Sequence, residues 1–191
     1  YRVRLNVCRK DGGLYTPKTK EIDYLIDVKA NKHQNKEIYS VDVFKDFYNY
    51  SGLLSTIKTN NRMVNTLASI YAKENDLDNC VLINEKKGVV EVTNANIFVL
   101  KGNVLKTPAL TEGCIKGVIR RKVIEIIAKN TDYTLEETTI SPFEIQRADE
   151  VFITNAIMGV QAITTYKKKK FKIDFSSKVS KSLKVLEFTS A

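Results

Sequence analysis

The chain has 191 residues, 43% of them apolar and 28% charged, enough to bury one large core or two small ones and incompatible with a disordered chain. Its longest apolar runs, such as Val151-Phe152-Ile153 and Ile126-Ile127-Ala128, fall far short of the roughly 20 residues that cross a bilayer, so no membrane-spanning helix is expected. The net charge of +9, from 31 basic and 22 acidic residues, raises nucleic-acid binding as an alternative. The lysines are scattered, however, and the one run, Lys167 to Lys170, has no interleaved aromatics to stack on bases, so a solvated loop and no nucleic-acid partner are expected there.

The opening residues, Tyr1-Arg2-Val3-Arg4-Leu5-Asn6-Val7, alternate polar and apolar without an initiator Met or an apolar signal core. They read as a strand entered midway, with a segment upstream expected to be missing. Lys10-Asp11-Gly12-Gly13 signals a turn, and a second extended stretch follows at Ile22 to Val28, giving the end of a small β-rich unit over the first fifty residues. Val64, Leu67, Ala68 and Tyr71 recur at i, i+3, i+4, i+7, which predicts an amphipathic helix from Arg62 to Asn75, four residues beyond Lys58.

Short apolar runs then alternate with turns: 80–84, a Lys87-Gly88 turn, 89–93, 96–100, a Gly102-Asn103 turn and 104–105. They predict consecutive antiparallel strands ended by Pro108. A second helix is expected from Val118 to Lys129, preceded by Gly117 and stopped near Asn130, and a final buried strand at Val151 to Thr154. The fold class is α+β, with mixed α and β elements in one layered arrangement.

Walker, GxGxxG, HExxH and GxSxG patterns are absent from the sequence. Cys8, Cys80 and Cys114 form neither an even set nor a CxxC, which points to a reducing cytoplasm and against a zinc site. The one histidine, His33, lies in a polar stretch and is expected at the surface. Pyridoxal phosphate chemistry needs a lysine, an acid against the pyridine nitrogen and a phosphate cup. Lys58 stands in an apolar-then-polar context that could desolvate its amine, although a plain surface lysine fits equally. Glu91, between Val90 and Val92, is either an outward strand residue or a buried carboxylate in need of a partner. Gly117 opens a helix whose start could take a phosphate, as many helix starts could.

Three segments taken together, Glu91 to Phe98, Leu105 to Pro108 and Ile115 to Arg120, resemble the class IV aminotransferase signature. The segment Ile57 to Arg62 resembles that family's cofactor-lysine site, and Ala148 to Ala156 its second phosphate-side strand and turn. The resemblance implies a fold type IV pyridoxal 5′-phosphate enzyme. Residues 1–50 would be the C-terminal end of a small N-terminal α/β domain and residues 51–191 a larger domain of pseudo-barrel character. It further implies a homodimer that acts on a small amino acid or 2-oxo acid.

Carried over by position, Lys58 would bond to the cofactor and move the substrate α-proton, and Glu91 would pair with the pyridine nitrogen. Val118 and Ile119, following Gly117, would hold the phosphate with Asn155 and Ala156, while Thr93, Asn94 and Ala95 would line the cofactor face. The chain departs from the family where Ile119 and Ala156 stand in place of threonines, and where an N-terminal-domain arginine would lie before Tyr1. Asn155-Ala156-Ile157-Met158 and Arg9 to Tyr15 look more like aminodeoxychorismate lyase, although Gly159 replaces that lyase's proline. Tyr15 is then a candidate active-site wall, with plain packing as its alternative. Amino transfer is the expected reaction, a lyase giving 4-aminobenzoate and pyruvate the alternative, and a non-catalytic basic binding protein the third.

Overall fold

The structure, a computed structural model, describes residues 1–129 and 131–189, with side chains through Leu186. It divides into two compact units, residues 1–34 and 35–191. The first is a hairpin of β1 (Arg2–Arg9) and β2 (Ile22–Lys29), antiparallel from Arg2↔Lys29 to Arg9↔Ile22. Strict alternation puts Val3, Leu5 and Val7 opposite Val28, Ile26 and Tyr24, so one face of the ribbon is apolar and the other largely polar. His33 is exposed, as its polar surroundings predicted.

The second unit holds two five-stranded sheets. One runs β12-β11-β3-β4-β5, built from β3 (Ser40–Val43), β4 (Asn79–Ile83), β5 (Val89–Val92), β11 (Thr165–Tyr166) and β12 (Lys169–Lys170). The other runs β10-β9-β6-β7-β8, from β6 (Asn96–Lys101), β7 (Val104–Pro108), β8 (Thr134–Thr138), β9 (Glu150–Asn155) and β10 (Gly159–Ile163). Period-2 alternation fixes the layers. Val81, Ile97, Val99 and Ile153 point into a core shared by both sheets. Their neighbours Phe98, Leu100 and Phe152 face α2 (Val118–Ala128) and α4 (Asp174–Thr189), where Phe98 stacks on Phe152 with ring centroids 5.0 Å apart. Cys80 and Leu82 face α1 (Met63–Glu74) on the opposite outer side.

Both helices read from the sequence form where expected, α1 capped by Arg62 and Asn75 and α2 ending at Ala128. The stop expected at Asn130 lies outside the described residues. The four strands between 80 and 105 do not make one antiparallel run, however. β4–β5 and β6–β7 are antiparallel pairs in different sheets, and the chain crosses between them at Thr93-Asn94-Ala95, a turn closed by Val92 N–H on Ala95 C=O at 2.9 Å.

Pro108 does not end the strands either: it is the last residue of β7, and β8 joins that strand in parallel. Nor is the strand at 151–154 final. β10, the β11–β12 hairpin and α4 follow it, and Glu150 at its start caps α4 by accepting from the Phe175 and Ser176 N–H groups at 2.8 and 3.0 Å. The lysine run is exposed but forms the turn and second strand of that hairpin rather than an open loop. α3 (Pro142–Arg147) opens with a Ser141/Glu144 capping box that connects β8 to β9.

Candidate active site

A strand residue between valines has little choice but burial when both faces of its sheet are covered, and every residue of β5 is buried. Glu91 is 3% exposed and finds the partners a buried carboxylate requires. Its Oε2 accepts from the Ile115 N–H at 3.0 Å, and its Oε1 lies 3.9 Å from Arg62 Nη1. Burial pushes the carboxyl up to about 7, while the Ile115 N–H and the charges of Arg62 and Lys58 pull in the opposite direction. Of the two readings left open for Glu91, the buried one holds.

The crossing turn after β5 is fixed from three sides. Asn79 Oδ1 accepts from Thr93 N–H at 3.0 Å and from Thr93 Oγ1 at 2.6 Å, and Asn79 Nδ2 donates to Asn94 Oδ1 at 2.9 Å. Asn65 Nδ2, from α1, donates to the Thr93 carbonyl at 2.7 Å, and Asn155 Nδ2, from the end of β9, donates to the Asn94 carbonyl at 3.1 Å. Asn155 Oδ1 accepts from both Ile157 and Met158 N–H at 2.8 Å, which shapes the turn carrying Ala156.

Lys58 belongs to an irregular segment between Gly52 and α1. Lys116 N–H donates to Thr56 C=O at 3.1 Å, and Thr59 N–H to Ile57 C=O at 2.9 Å, so its backbone is held on both sides. Of the two readings left open for Lys58, the exposed one holds: Lys58 is exposed, as are Leu54 at 65% and Ile57 at 54%. On the other side, Gly117 caps α2 with extended φ and ψ, and a Cβ at this position would fall on Asn96 Oδ1. Asn96 Nδ2 in turn donates to Ile115 C=O at 2.8 Å. Only glycine lets β6 approach the start of α2 so closely. Val118 and Ile119 are the first two helical residues, whose N–H groups have no acceptor within a helix.

These parts converge on one pocket of about 320 Å³ lined by Lys58, Glu91, Thr93, Asn94, Ala95, Gly117, Val118, Ile119, Asn155 and Ala156. All ten residues singled out from the sequence besides Tyr15 therefore meet in one place. Tyr15 lies in the other compact unit, the hairpin, where it is 99% exposed. The sequence reading passed over Thr56, Arg62, Asn65, Asn96, Ile115, Lys116 and Thr154 as site residues. Arg62 had one signal, its place at the predicted start of α1, and Asn96 another, its place in the signature segment.

Two buried polar atoms of this lining, Arg62 Nε and Thr154 Oγ1, have no hydrogen-bond partner. Buried polar groups are rarely left so, and a ligand with polar groups of its own would give both a partner. The charged lining is Lys58, Arg62 and Lys116 against the single carboxylate of Glu91, which favours an anion.

The chain matches the amino-transferase class IV family over residues 1–166. It is 32% identical over 123 residues to aminodeoxychorismate lyase of Vibrio harveyi, 64% of this chain and 45% of that one. It is also 44% identical over 77 residues to branched-chain-amino-acid aminotransferase 1, mitochondrial, of Arabidopsis thaliana, 40% of this chain and 20% of that one. The chain thus spans less than half the length of these curated relatives. The crystal structure of an aminotransferase from Brucella abortus bound to the cofactor PLP superimposes with a TM-score of 0.84 at 20% identity, covering 99% of this chain and 68% of that one. The architecture is the one its solved neighbours share, and the chain belongs to the class IV amino-transferase family.

Proposed function

We propose that the pocket binds pyridoxal 5′-phosphate and that the protein transfers an amino group between an amino acid and a 2-oxo acid. The observation that carries this reading is the convergence of Lys58, a buried Glu91 and the start of α2 on one pocket with two unpartnered buried polar atoms. When bound, the cofactor supplies an electron sink that stabilises negative charge at the substrate α-carbon.

The chain's own residues then have separate tasks. Lys58 is the covalent attachment point and moves a proton at the α-carbon. Glu91 would hold the ring nitrogen; burial raises its carboxyl to about 7, and the Ile115 N–H, Arg62 and Lys58 already draw it toward the ionised form that such a partner would favour. The N–H groups of Val118 and Ile119 bind the phosphate at the positive end of α2, and the turn at Asn155-Ala156 closes the cup with the Thr154 hydroxyl. The cup lacks hydroxyls at Ile119 and Ala156, and Thr154 Oγ1 offers one from the adjoining strand position. Thr93, Asn94 and Ala95 form one wall, kept rigid by Asn79.

A second reading, a lyase releasing pyruvate from aminodeoxychorismate, is favoured by the Asn155-Ala156 turn and by the match to the Vibrio harveyi lyase over 64% of the chain. Free thiols at Cys80 and Cys114 support a reducing cytoplasm, and the family resemblance supports a homodimer. The test supplies amino acids to the cofactor-loaded protein with and without a 2-oxo acid, and aminodeoxychorismate alone. Turnover that requires the 2-oxo acid supports the transaminase. Pyruvate release without a second substrate supports the lyase, and neither activity in a dimeric, cofactor-loaded protein refutes both.

A further inference from the structure

Arg62 stands four residues beyond Lys58 as the cap of α1, and its guanidinium has five donors to place. Nη2 reaches Ile57 C=O at 3.4 Å, and Nη1 lies 3.9 Å from Glu91 Oε1. The Nε–H is buried and has no acceptor, although its side chain lines the same pocket as Lys58 and Glu91. Leaving a buried donor unmade costs on the order of 1–3 kcal/mol, so an acceptor is expected once the pocket is filled.

We infer that Arg62 binds the phenolic oxygen of pyridoxal 5′-phosphate. The inference rests on the reading of the pocket proposed above and extends it to a group that reading leaves without a partner. Four polar groups of the cofactor need placing. The aldehyde carbon falls to Lys58, the ring nitrogen to Glu91, and the phosphate to the start of α2 with the Asn155-Ala156 turn. The phenol remains: it is acidic, lies next to the aldehyde carbon on the ring, and as an anion out of water needs a charge-assisted donor.

Two lining cations are unassigned, Lys116 and Arg62. Lys116 is exposed, whereas Arg62 carries the buried N–H without a partner. Matching the leftover donor to the leftover acceptor satisfies both. Arg62 would then serve Glu91 and the phenolic oxygen with different nitrogens of one planar fork, which lysine cannot reproduce.

The test measures binding by equilibrium dialysis on the full chain, using pyridoxine 5′-phosphate and its 3-deoxy analogue. Neither has an aldehyde, so Lys58 chemistry does not contribute. The parent protein should hold the phenolic compound at least about tenfold more tightly, the fold-change that 1.4 kcal/mol corresponds to. Arg62→Leu should bring the ratio to within about twofold while still binding the deoxy compound, which shows the pocket intact, and Arg62→Lys should fall between. A ratio near one in the parent, or the same ratio in Arg62→Leu as in the parent, overturns the assignment of Arg62. Binding of neither compound by the parent overturns the pyridoxal phosphate reading itself, and this inference with it.

Discussion

Replacing Glu91 by glutamine isolates the energetic cost of keeping a carboxylate inside this pocket. In the folded protein without cofactor, burial pushes the Glu91 carboxyl from 4.5 to about 7. Below pH 4.5 the group is protonated in folded and unfolded chains alike and contributes nothing. As pH rises from 4.5 to 7, the unfolded chain releases the proton while the folded chain keeps it, so stability falls; above 7 both are ionised and the loss is complete. Between pH 5 and pH 8 this amounts to about 2.5 kcal/mol. Glu91→Gln keeps an oxygen for the Ile115 N–H and has no proton to lose. Urea unfolding of the cofactor-free proteins, followed by circular dichroism, should therefore show the variant gaining on the parent by about 2.5 kcal/mol on going from pH 5 to pH 8. A difference between the two proteins that stays constant with pH refutes the argument. With cofactor present, the same variant should retain binding and lose turnover.

Gly117→Ala should cost about 1–3 kcal/mol in thermal unfolding, because the new Cβ displaces Asn96 Oδ1 and with it the Asn96–Ile115 bond; it should also weaken phosphate-group affinity at the start of α2. A variant with the parent's stability would mean that β6 and α2 can separate freely. Ser141→Ala removes half of the capping box on α3 and should cost about 1 kcal/mol in the same melt with cofactor binding unchanged. Phe152→Ala opens a cavity against Phe98 and Phe175 and should cost about 3–5 kcal/mol; a loss under 1 kcal/mol would mean that this layer is loosely packed.

The elements with a clean period were legible in the sequence. Val64, Leu67, Ala68 and Tyr71 announced α1, and the apolar run 96–100 announced β6, although an unbroken apolar run does not say that one face meets the shared core and the other α2 and α4. What the pattern could not carry is which strand pairs with which. β4, β5, β6 and β7 look alike as apolar runs, and the crossing between sheets is decided by Asn79 gripping Thr93 and Asn94, contacts across 14 and 15 residues that no local signal reveals. β3 pairs in parallel with β4 across the whole of α1, and α4 is polar enough to hide its core stripe of Phe175, Val179 and Leu183.

At the site, Glu91 was legible only as a choice between an outward strand residue and a buried acid with a partner, while the signature segments located the start of α2 and the Asn155-Ala156 turn. Arg62 was not. One arginine at a helix start is ordinary, and only its buried Nε and the approach of its Nη1 to Glu91 give it meaning. The sequence left Lys58 open between a desolvated and a surface lysine for a related reason: Leu54 and Ile57 are apolar in the sequence but exposed in the fold, so the local string said nothing about solvent.

Lys58 as the attachment point of an aldehyde cofactor held by this pocket is open to direct labelling. The full chain should be incubated with pyridoxal 5′-phosphate, reduced with borohydride, digested, and the modified peptide identified by mass. A visible absorption band should appear before reduction and a single stoichiometric label should fall on Lys58, with Lys58→Ala folded and unlabelled. A label spread over exposed lysines such as Lys167 to Lys170, or one that persists at the parent's level in Lys58→Ala, would contradict it.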